Sequence, residues 1–123
     1  IASGFTSSRA KTSARDERRV ADALRFIETH ADETLDLDRL AAVAGLSKFH
    51  FLRSFARVVG LTPYRYLLLT RLRRAGADIA ATDRPISAIA YEAGFGDLST
   101  FNAHFRTAMG ATPSRWRQAR GAI

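Results

Sequence analysis

Residues 62–81 read TPYRYLLLTRLRRAGADIAA, and this stretch has the features of one long helix. Pro63 suits a first helical position, where its missing N–H has no partner to lose, and Thr62 before it can serve as the N-cap. Apolar residues recur at steps of three and four, which is typical of a helix with a buried face. Residues 82–85, TDRP, end the pattern. We therefore predict a helix over 63–81, with sequence to bury against on both sides.

The sequences on the two sides of this helix are copies of each other. LAAVAGL at 40–46 matches IAYEAGF at 89–95, which aligns Gly45 with Gly94. Beyond the glycines, Phe51 aligns with Phe101 and Pro63 with Pro113, 50 residues apart in each case. An internal repeat of this length predicts two equivalent structural units.

Each copy predicts a helix-turn-helix motif. In the first, Asp36 and Ser47 are suited to cap helices over 37–44 and 48–59, and Gly45 between them can adopt a left-handed turn. The second copy predicts helices over 86–93 and up to residue 109, with Asp97 as a cap. Further helices are expected over 16–30, with a stripe of Val20, Leu24 and Ile27, and over 113–120.

No stretch of the sequence predicts a strand, so the expected fold is all-α, with about seven helices. Two helix-turn-helix subdomains are joined by the long central helix. The expected organisation is a linker or disordered tail over 1–15, a first subdomain over 16–61, the connecting helix over 62–81 and a second subdomain over 82–120.

Composition narrows the class of protein. The formal net charge is +7, and lysine occurs only at Lys11 and Lys48, so arginine carries most of the positive charge. This balance favours a polyanionic partner.

Apolar content is 46%, and no apolar run is long enough to span a membrane, which predicts a soluble chain without a membrane partner. The chain lacks cysteine and an apolar leader, which favours the cytoplasm. Its first residue is not methionine, which is expected of a piece of a longer protein and equally of a processed terminus.

The sequence predicts neither an enzyme nor a cofactor site. His30, His50 and His104 fall in three different predicted helices, without cysteine or paired carboxylates beside them. This arrangement has no metal-ligand spacing and no oriented nucleophile. The glycines fall singly at helix ends, so there is no glycine-rich phosphate loop. We therefore expect no catalytic residue, no metal and no cofactor.

The second copy closely resembles the signature of the AraC/XylS family of bacterial transcription regulators. The residues that carry the resemblance are I-x-x-I-A-x-x-x-G-F at 86–95, F-x-x-x-F at 101–105 and G-x-T-P-x-x-W-R at 110–117. It extends upstream through R-L-x-x-A at 71–75 and the first copy, and covers roughly 20–118. The resemblance implies a seven-helix domain that places the second helix of each motif in the major groove of double-stranded DNA.

The resemblance also implies a larger context. Regulators of this family often carry an effector-binding or dimerisation domain, usually N-terminal, which would lie outside this sequence. RNA polymerase is the expected protein partner, and a cytoplasmic location associated with the nucleoid is expected.

The second helix of each motif has two faces. Phe51, Phe55 and Val58 share one face of the first, and Phe101, Phe105 and Met109 share one face of the second, so these residues should anchor the helices. Arg53 on the opposite face could bind guanine, Asn102 could bind adenine, and Phe49 and Leu52 could pack on thymine methyl groups. The candidate DNA-binding residues are Lys48, Phe49, Leu52, Arg53, Ser99, Thr100, Asn102 and Ala103. The candidate phosphate contacts are Arg39, Ser47, His50, Arg57, Arg84 and Arg106.

One alternative remains open from the sequence. A helical protein-interaction module could use the apolar face of Phe49 and Leu52 to dock an acidic partner. Binding to duplex DNA would weaken steeply with salt, whereas apolar docking would not.

Overall fold

The computed structural model describes residues 13–121, and within them it contains seven helices and no strand. The all-α prediction is confirmed, and three helices have the predicted bounds. Ser13 accepts a hydrogen bond from the Asp16 amide (3.0 Å), so the first helix starts two residues earlier than predicted and includes Ala14 and Arg15. The rest of the predicted tail, 1–12, lies outside the described residues. The helices are α1 Ala14–Thr29, α2 Leu37–Ala44, α3 Lys48–Val59, α4 Pro63–Ala81, α5 Ile86–Glu92, α6 Leu98–Met109 and α7 Pro113–Gly121.

The described chain divides into two units. The first contains residues up to His30 and Leu35–Leu67, and the second contains Ala31–Thr34 and the chain from Leu68 onwards. Helix α4 therefore contributes its residues up to Leu67 to the first unit and the remainder to the second. Thr62 caps this helix by accepting a hydrogen bond from the Arg65 amide (3.2 Å), as the sequence predicts.

In the first unit, the core is formed by α1, α2, α3 and the first residues of α4. Helix α1 buries Ala23 between Val20 and Ile27, whereas the predicted Leu24 is only half-buried. The prediction that Val58 anchors α3 is also wrong, because its side chain is 40% exposed near the end of the helix. Nine apolar residues of this unit are each at most 5% exposed: Val20, Ala23, Ile27, Leu40, Ala41, Ala44, Phe51, Phe55 and Leu67.

In the second unit, α4 takes the place that α1 has in the first. Arg71, Leu72, Ala75 and Ile79 follow Arg19, Val20, Ala23 and Ile27 at a constant spacing of 52 residues, and the apolar members of both sets are buried. The repeat therefore includes the helix before each motif. The alignment shifts by three residues because the loop at 30–36 is longer than the loop at 82–85. The buried cluster of this unit is Leu72, Ala75, Ile79, Ile89, Ala90, Phe95, Phe101 and Phe105.

Aromatic packing repeats as well. The ring centroids of Phe51 and Phe55 are 5.5 Å apart, and those of Phe101 and Phe105 are 5.4 Å apart. The second phenylalanine of each pair meets an aromatic ring edge-on: Phe55 meets Tyr66 at 6.0 Å, and Phe105 meets Trp116 at 5.8 Å. The polar ends of these two rings also have partners, since the Tyr66 hydroxyl donates to Glu28 and the Trp116 Nε1 donates to the Gly76 carbonyl.

Both motifs turn at a glycine in the left-handed region, as predicted. Gly45 has φ of 70°, and the Leu46 amide donates back to the Ala41 carbonyl at 3.0 Å. Gly94 has φ of 101°, and the Phe95 amide donates back to the Ala90 carbonyl at 3.1 Å. These bonds close the C-terminus of each first helix.

An arginine covers each turn glycine. Arg19 Nη1 donates to the carbonyls of Ala44 and Gly45, both at 2.9 Å. The guanidinium of Arg71 lies against Gly94, where an added Cβ would be 3.0 Å from its Cζ. A side chain at either glycine would therefore have to displace an arginine as well as adopt an unfavourable backbone angle.

We expect alanine substitutions at three glycines to separate these two costs. Gly110 has φ of 81° with open space around it, so Gly110→Ala should cost only the backbone strain, about 1 to 2 kcal/mol. Gly94→Ala should cost at least as much, up to about 3 kcal/mol, because Arg71 must also move. Gly96→Ala, which meets no atom within 4 Å, should stay within about 0.5 kcal/mol. The free energy of unfolding from urea titration measures all three, and equal values for Gly94→Ala and Gly96→Ala would contradict the account.

Candidate nucleic-acid interface

Helix α3 separates its side chains into a buried face and an exposed face. Phe51 and Phe55 are fully buried and Ser54 is 2% exposed, so this face holds the helix in its unit. Phe49 is 72% exposed, although it lies only two residues from Phe51. The residues that α3 exposes are Lys48, Phe49, Arg53, Ala56, Arg57 and Val58.

Leu52 differs from the expectation of a freely exposed residue. Its side chain is half-buried and lines an apolar cavity of about 220 Å³ in the first unit. The other walls of this cavity come from the first residues of α2 and α4 and include Leu37, Leu40, Pro63 and Leu67. Leu52 therefore divides its surface between the interior of the unit and the exposed face.

Several residues predicted as DNA contacts have partners within the first unit. His50 Nε2 is 3.2 Å from Asp16 Oδ2, and Lys48 Nζ is 3.1 Å from Asp38 Oδ1. The guanidinium of Arg39 lies 4.9 Å from the ring centroid of Phe26. Ser47 caps α3 by accepting a hydrogen bond from the His50 amide, as predicted for a helix start.

Arg53 and Arg57 are the exposed cations of α3 that remain available. Neither has an ion-pair partner in the part of the chain that the structure describes. They lie four residues apart on one side of the helix, so both guanidinium groups can reach the same surface. An arginine without an internal partner loses no existing interaction when it binds a base or a phosphate.

Helix α6 presents a different set of groups. Ser99, Thr100, Asn102, Ala103 and Arg106 are all exposed, and Phe101 and Phe105 are fully buried beneath them. The Thr100 hydroxyl donates to Asp97 Oδ2 at 2.9 Å, so it is part of the helix cap. Apart from Arg106, these exposed side chains of α6 are short and uncharged, and the hydroxyl of Thr100 is committed to the cap.

Two carboxylates hold their negative charge in the second motif. The amide and the hydroxyl of Thr100 both donate to Asp97, and these hydrogen bonds lower the pKa of Asp97 below its ordinary value. A hydrogen bond from Arg84 lowers the pKa of Glu92 and raises the pKa of Arg84. Arg84, predicted as a phosphate contact, therefore lies in an ion pair with its charge already balanced.

Because the pKa of Asp97 is lowered in the folded chain, the stability of the fold should decrease at acidic pH. The cap stabilises α6 while Asp97 is ionised, and this contribution is lost as the pH falls through its folded pKa, which lies below the unfolded value. Asp97→Asn can cap the helix without titrating, so its melting temperature should fall less than that of the wild type below pH 4. Melting curves between pH 7 and about pH 3 measure this. Parallel declines in the two proteins would show that Asp97 is not the group responsible.

Comparison with known proteins identifies the motif. A family model described as a helix-turn-helix domain matches residues 40–119. The chain is 34% identical over 98 residues to the regulatory protein SoxS of Escherichia coli K12, covering 80% of this chain and 92% of that protein. It is 35% identical over 100 residues to the right origin-binding protein of Escherichia coli K12, covering 81% of this chain but only 35% of that protein.

Two solved structures have the same fold. One is a transcriptional regulator of the AraC type from Chromobacterium violaceum, with a TM-score of 0.81 at 28% identity, covering 88% of this chain and 96% of that chain. The other is the DNA-binding domain of the transcriptional factor AdpA in complex with a target DNA, with a TM-score of 0.78 at 28% identity, covering 84% of this chain and 93% of that chain.

These matches define a helix-turn-helix domain of the kind found in bacterial transcription regulators. The chain belongs to the AraC/XylS family, as a DNA-binding domain. Membership in this family confirms that the domain is not an enzyme and disfavours the alternative of a protein-interaction module. In the described range 13–121, no helix is long and apolar enough to cross a membrane, and no group of three potential metal ligands is present.

Proposed function

We propose that the chain reads a specific sequence in double-stranded DNA by inserting α3 and α6 into successive major grooves of an asymmetric site. The observation that carries this proposal is the repeat, because both units bury the same pair of phenylalanines yet expose different side chains. The known complex of the AdpA domain with its target DNA supports DNA as the ligand.

In this proposal, α3 provides most of the sequence discrimination. Arg53 can bind guanine O6 and N7 with two parallel hydrogen bonds, and the exposed ring of Phe49 can pack on a thymine methyl group. Leu52 contributes only the part of its side chain that is not in the cavity. Lys48 contacts the DNA if it exchanges its ion pair with Asp38 for a base or a phosphate.

Helix α6 contributes less. Asn102 can pair with adenine, but Ala103 offers only a methyl group, and Ser99 and Thr100 are short. Asp97 also keeps its negative charge at the start of α6, which opposes the approach of phosphates, whereas the charge of Glu92 is balanced by Arg84. We therefore expect the half of the site that faces α6 to be less strictly specified.

Phosphate contacts divide into two groups in this proposal. Arg57 and Arg106 are exposed and lie on the same helices as the base-reading residues, so they are the preferred phosphate contacts. The other candidates, Arg39, Ser47, His50 and Arg84, have internal partners and would contact phosphate only as a second role.

A lysine substitution can separate base reading from charge at Arg53. Arg53→Lys keeps the positive charge but loses the planar two-donor geometry, so it should flatten base preference in one half of the site without changing the salt dependence. Arg53→Ala should lose both, with about 1 to 3 kcal/mol less discrimination. Asn102→Ala should have a smaller effect. Dissociation constants for a duplex selected from random sequences, and for duplexes with either half scrambled, measure these effects.

Arg57→Ala is the matched control for this series, because it removes an arginine four residues away on the same helix. It should weaken binding to all sequences alike and reduce the salt slope by about 1. If Arg53→Lys retained full base preference, Arg53 would be a phosphate contact and its proposed role would be wrong.

The asymmetry of the two reading helices predicts the stoichiometry. One chain presents two different faces, so a single domain should fill the minimal site without a symmetric partner. Mass measurement of the complex by light scattering should give one domain per duplex. Two domains on a palindromic minimal site would contradict this part of the proposal.

The wider context is also a proposal. The chain spans about a third of the right origin-binding protein, 35% of its length, so whole relatives can contain further domains. We propose that the domain acts within a regulator that carries a separate effector-binding or dimerisation domain and contacts RNA polymerase. The corresponding location is the cytoplasm, in association with the nucleoid.

A further inference from the structure

The outer face of α1 forms an arginine-lined basin beside the first motif. It is lined by Arg15 and Arg18, about one helical turn apart, by Arg25 about two turns further along, and by Arg19. The opposite wall is the end of α2 and the turn, Val43 to Gly45, and the concavity measures about 650 Å³. The sequence pattern places Arg15 in the tail and therefore does not predict this arrangement.

Two contacts hold the basin next to the start of α3. Asp16 on α1 meets His50 in the first turn of α3 at 3.2 Å. Arg19 donates to the carbonyls of Ala44 and Gly45, the last residues before the corner that leads into α3. The first turn of α1 and the first turn of α3 therefore lie side by side within one unit.

Not all four arginines are available to a ligand. Arg25 forms an ion pair with Asp22, and Arg19 is committed to the two carbonyls. Arg15 and Arg18 are exposed, and neither has an ion-pair partner among residues 13–121. The basin thus offers two guanidinium groups, whose planar donors match the oxygens of a phosphate.

We propose that Arg15 and Arg18 bind phosphates of the DNA backbone next to the half-site read by α3. This inference rests on the proposed function. In helix-turn-helix complexes the N-terminal residues of the second helix reach the base edges, so the phosphates that border the groove lie close to its first turn. The basin lies beside that turn, and its charge is complementary to a phosphodiester chain. Helix α1 then extends the DNA interface beyond the motif itself.

The salt dependence of binding tests this directly. Each phosphate contact contributes about 0.9 to the slope of log K against log salt, so the double variant Arg15→Ala/Arg18→Ala should lower the slope by about 1.8 on the selected duplex. Base preference should be unchanged, because phosphate contacts carry no sequence information. Both side chains are exposed, and an unchanged melting temperature checks that the variant is folded.

The control variant Arg15→Lys/Arg18→Lys retains both charges and should keep most of the slope. Ethylation interference gives a second measurement. Ethylating the phosphates that flank the α3 half-site should weaken binding of the wild type, and it should have little further effect on the double alanine variant.

The outcomes distinguish the two proposals. A double alanine variant with the wild-type slope and base preference would overturn the role of α1, leave the proposed function standing, and direct attention to an acidic protein as the ligand of the basin. A wild-type chain without base preference on any duplex would overturn the proposed function, and this inference with it.

Discussion

The burial of two phenylalanines one helical turn apart fixes the orientation of each reading helix. Phe51 and Phe55 in α3, and Phe101 and Phe105 in α6, are all fully buried. Truncating a buried phenylalanine costs about 3 to 5 kcal/mol, so rotation of either helix about its axis is strongly disfavoured. The residues on the opposite side are therefore exposed because of this anchoring, whatever their own polarity.

This constraint explains why the two units share a core and differ on the surface. The ring geometry, the left-handed glycine and the covering arginine recur in both units, although their exact partners differ. The exposed positions are free of these packing requirements and have diverged. Arg53 in the first unit corresponds to Ala103 in the second, and Phe49 corresponds to Ser99. A domain built in this way can read two different half-sites with one chain.

Much of the fold could be predicted from the sequence because local signals agreed with the repeat. Caps, glycines and apolar spacing gave the bounds of α2, α3 and α4 correctly. The errors have physical causes. Val58 has the spacing of a core residue but lies in the last turn of α3, where its side chain is 40% exposed, and the buried stripe of α1 contains Ala23 instead of Leu24.

The candidate site was less predictable, because side-chain partners depend on tertiary contacts. The sequence could not show that Lys48 and Arg84 are paired with Asp38 and Glu92, or that Leu52 lines a cavity. It also gave no reason to connect α1 with the turn, because the carbonyls that Arg19 binds are 25 and 26 residues away. These contacts decide which cations remain available for DNA.

Transfer of magnetisation from a selected DNA duplex to the backbone amides of the chain would test the central claim most directly. The claim is that phenylalanine anchoring leaves the opposite faces of α3 and α6 for DNA. We expect the strongest signal loss at the amides of Phe49, Arg53 and Asn102, and little loss at the α5 residue Tyr91, which is also exposed. Strong loss at Tyr91 with unaffected amides in α3 and α6 would contradict the account.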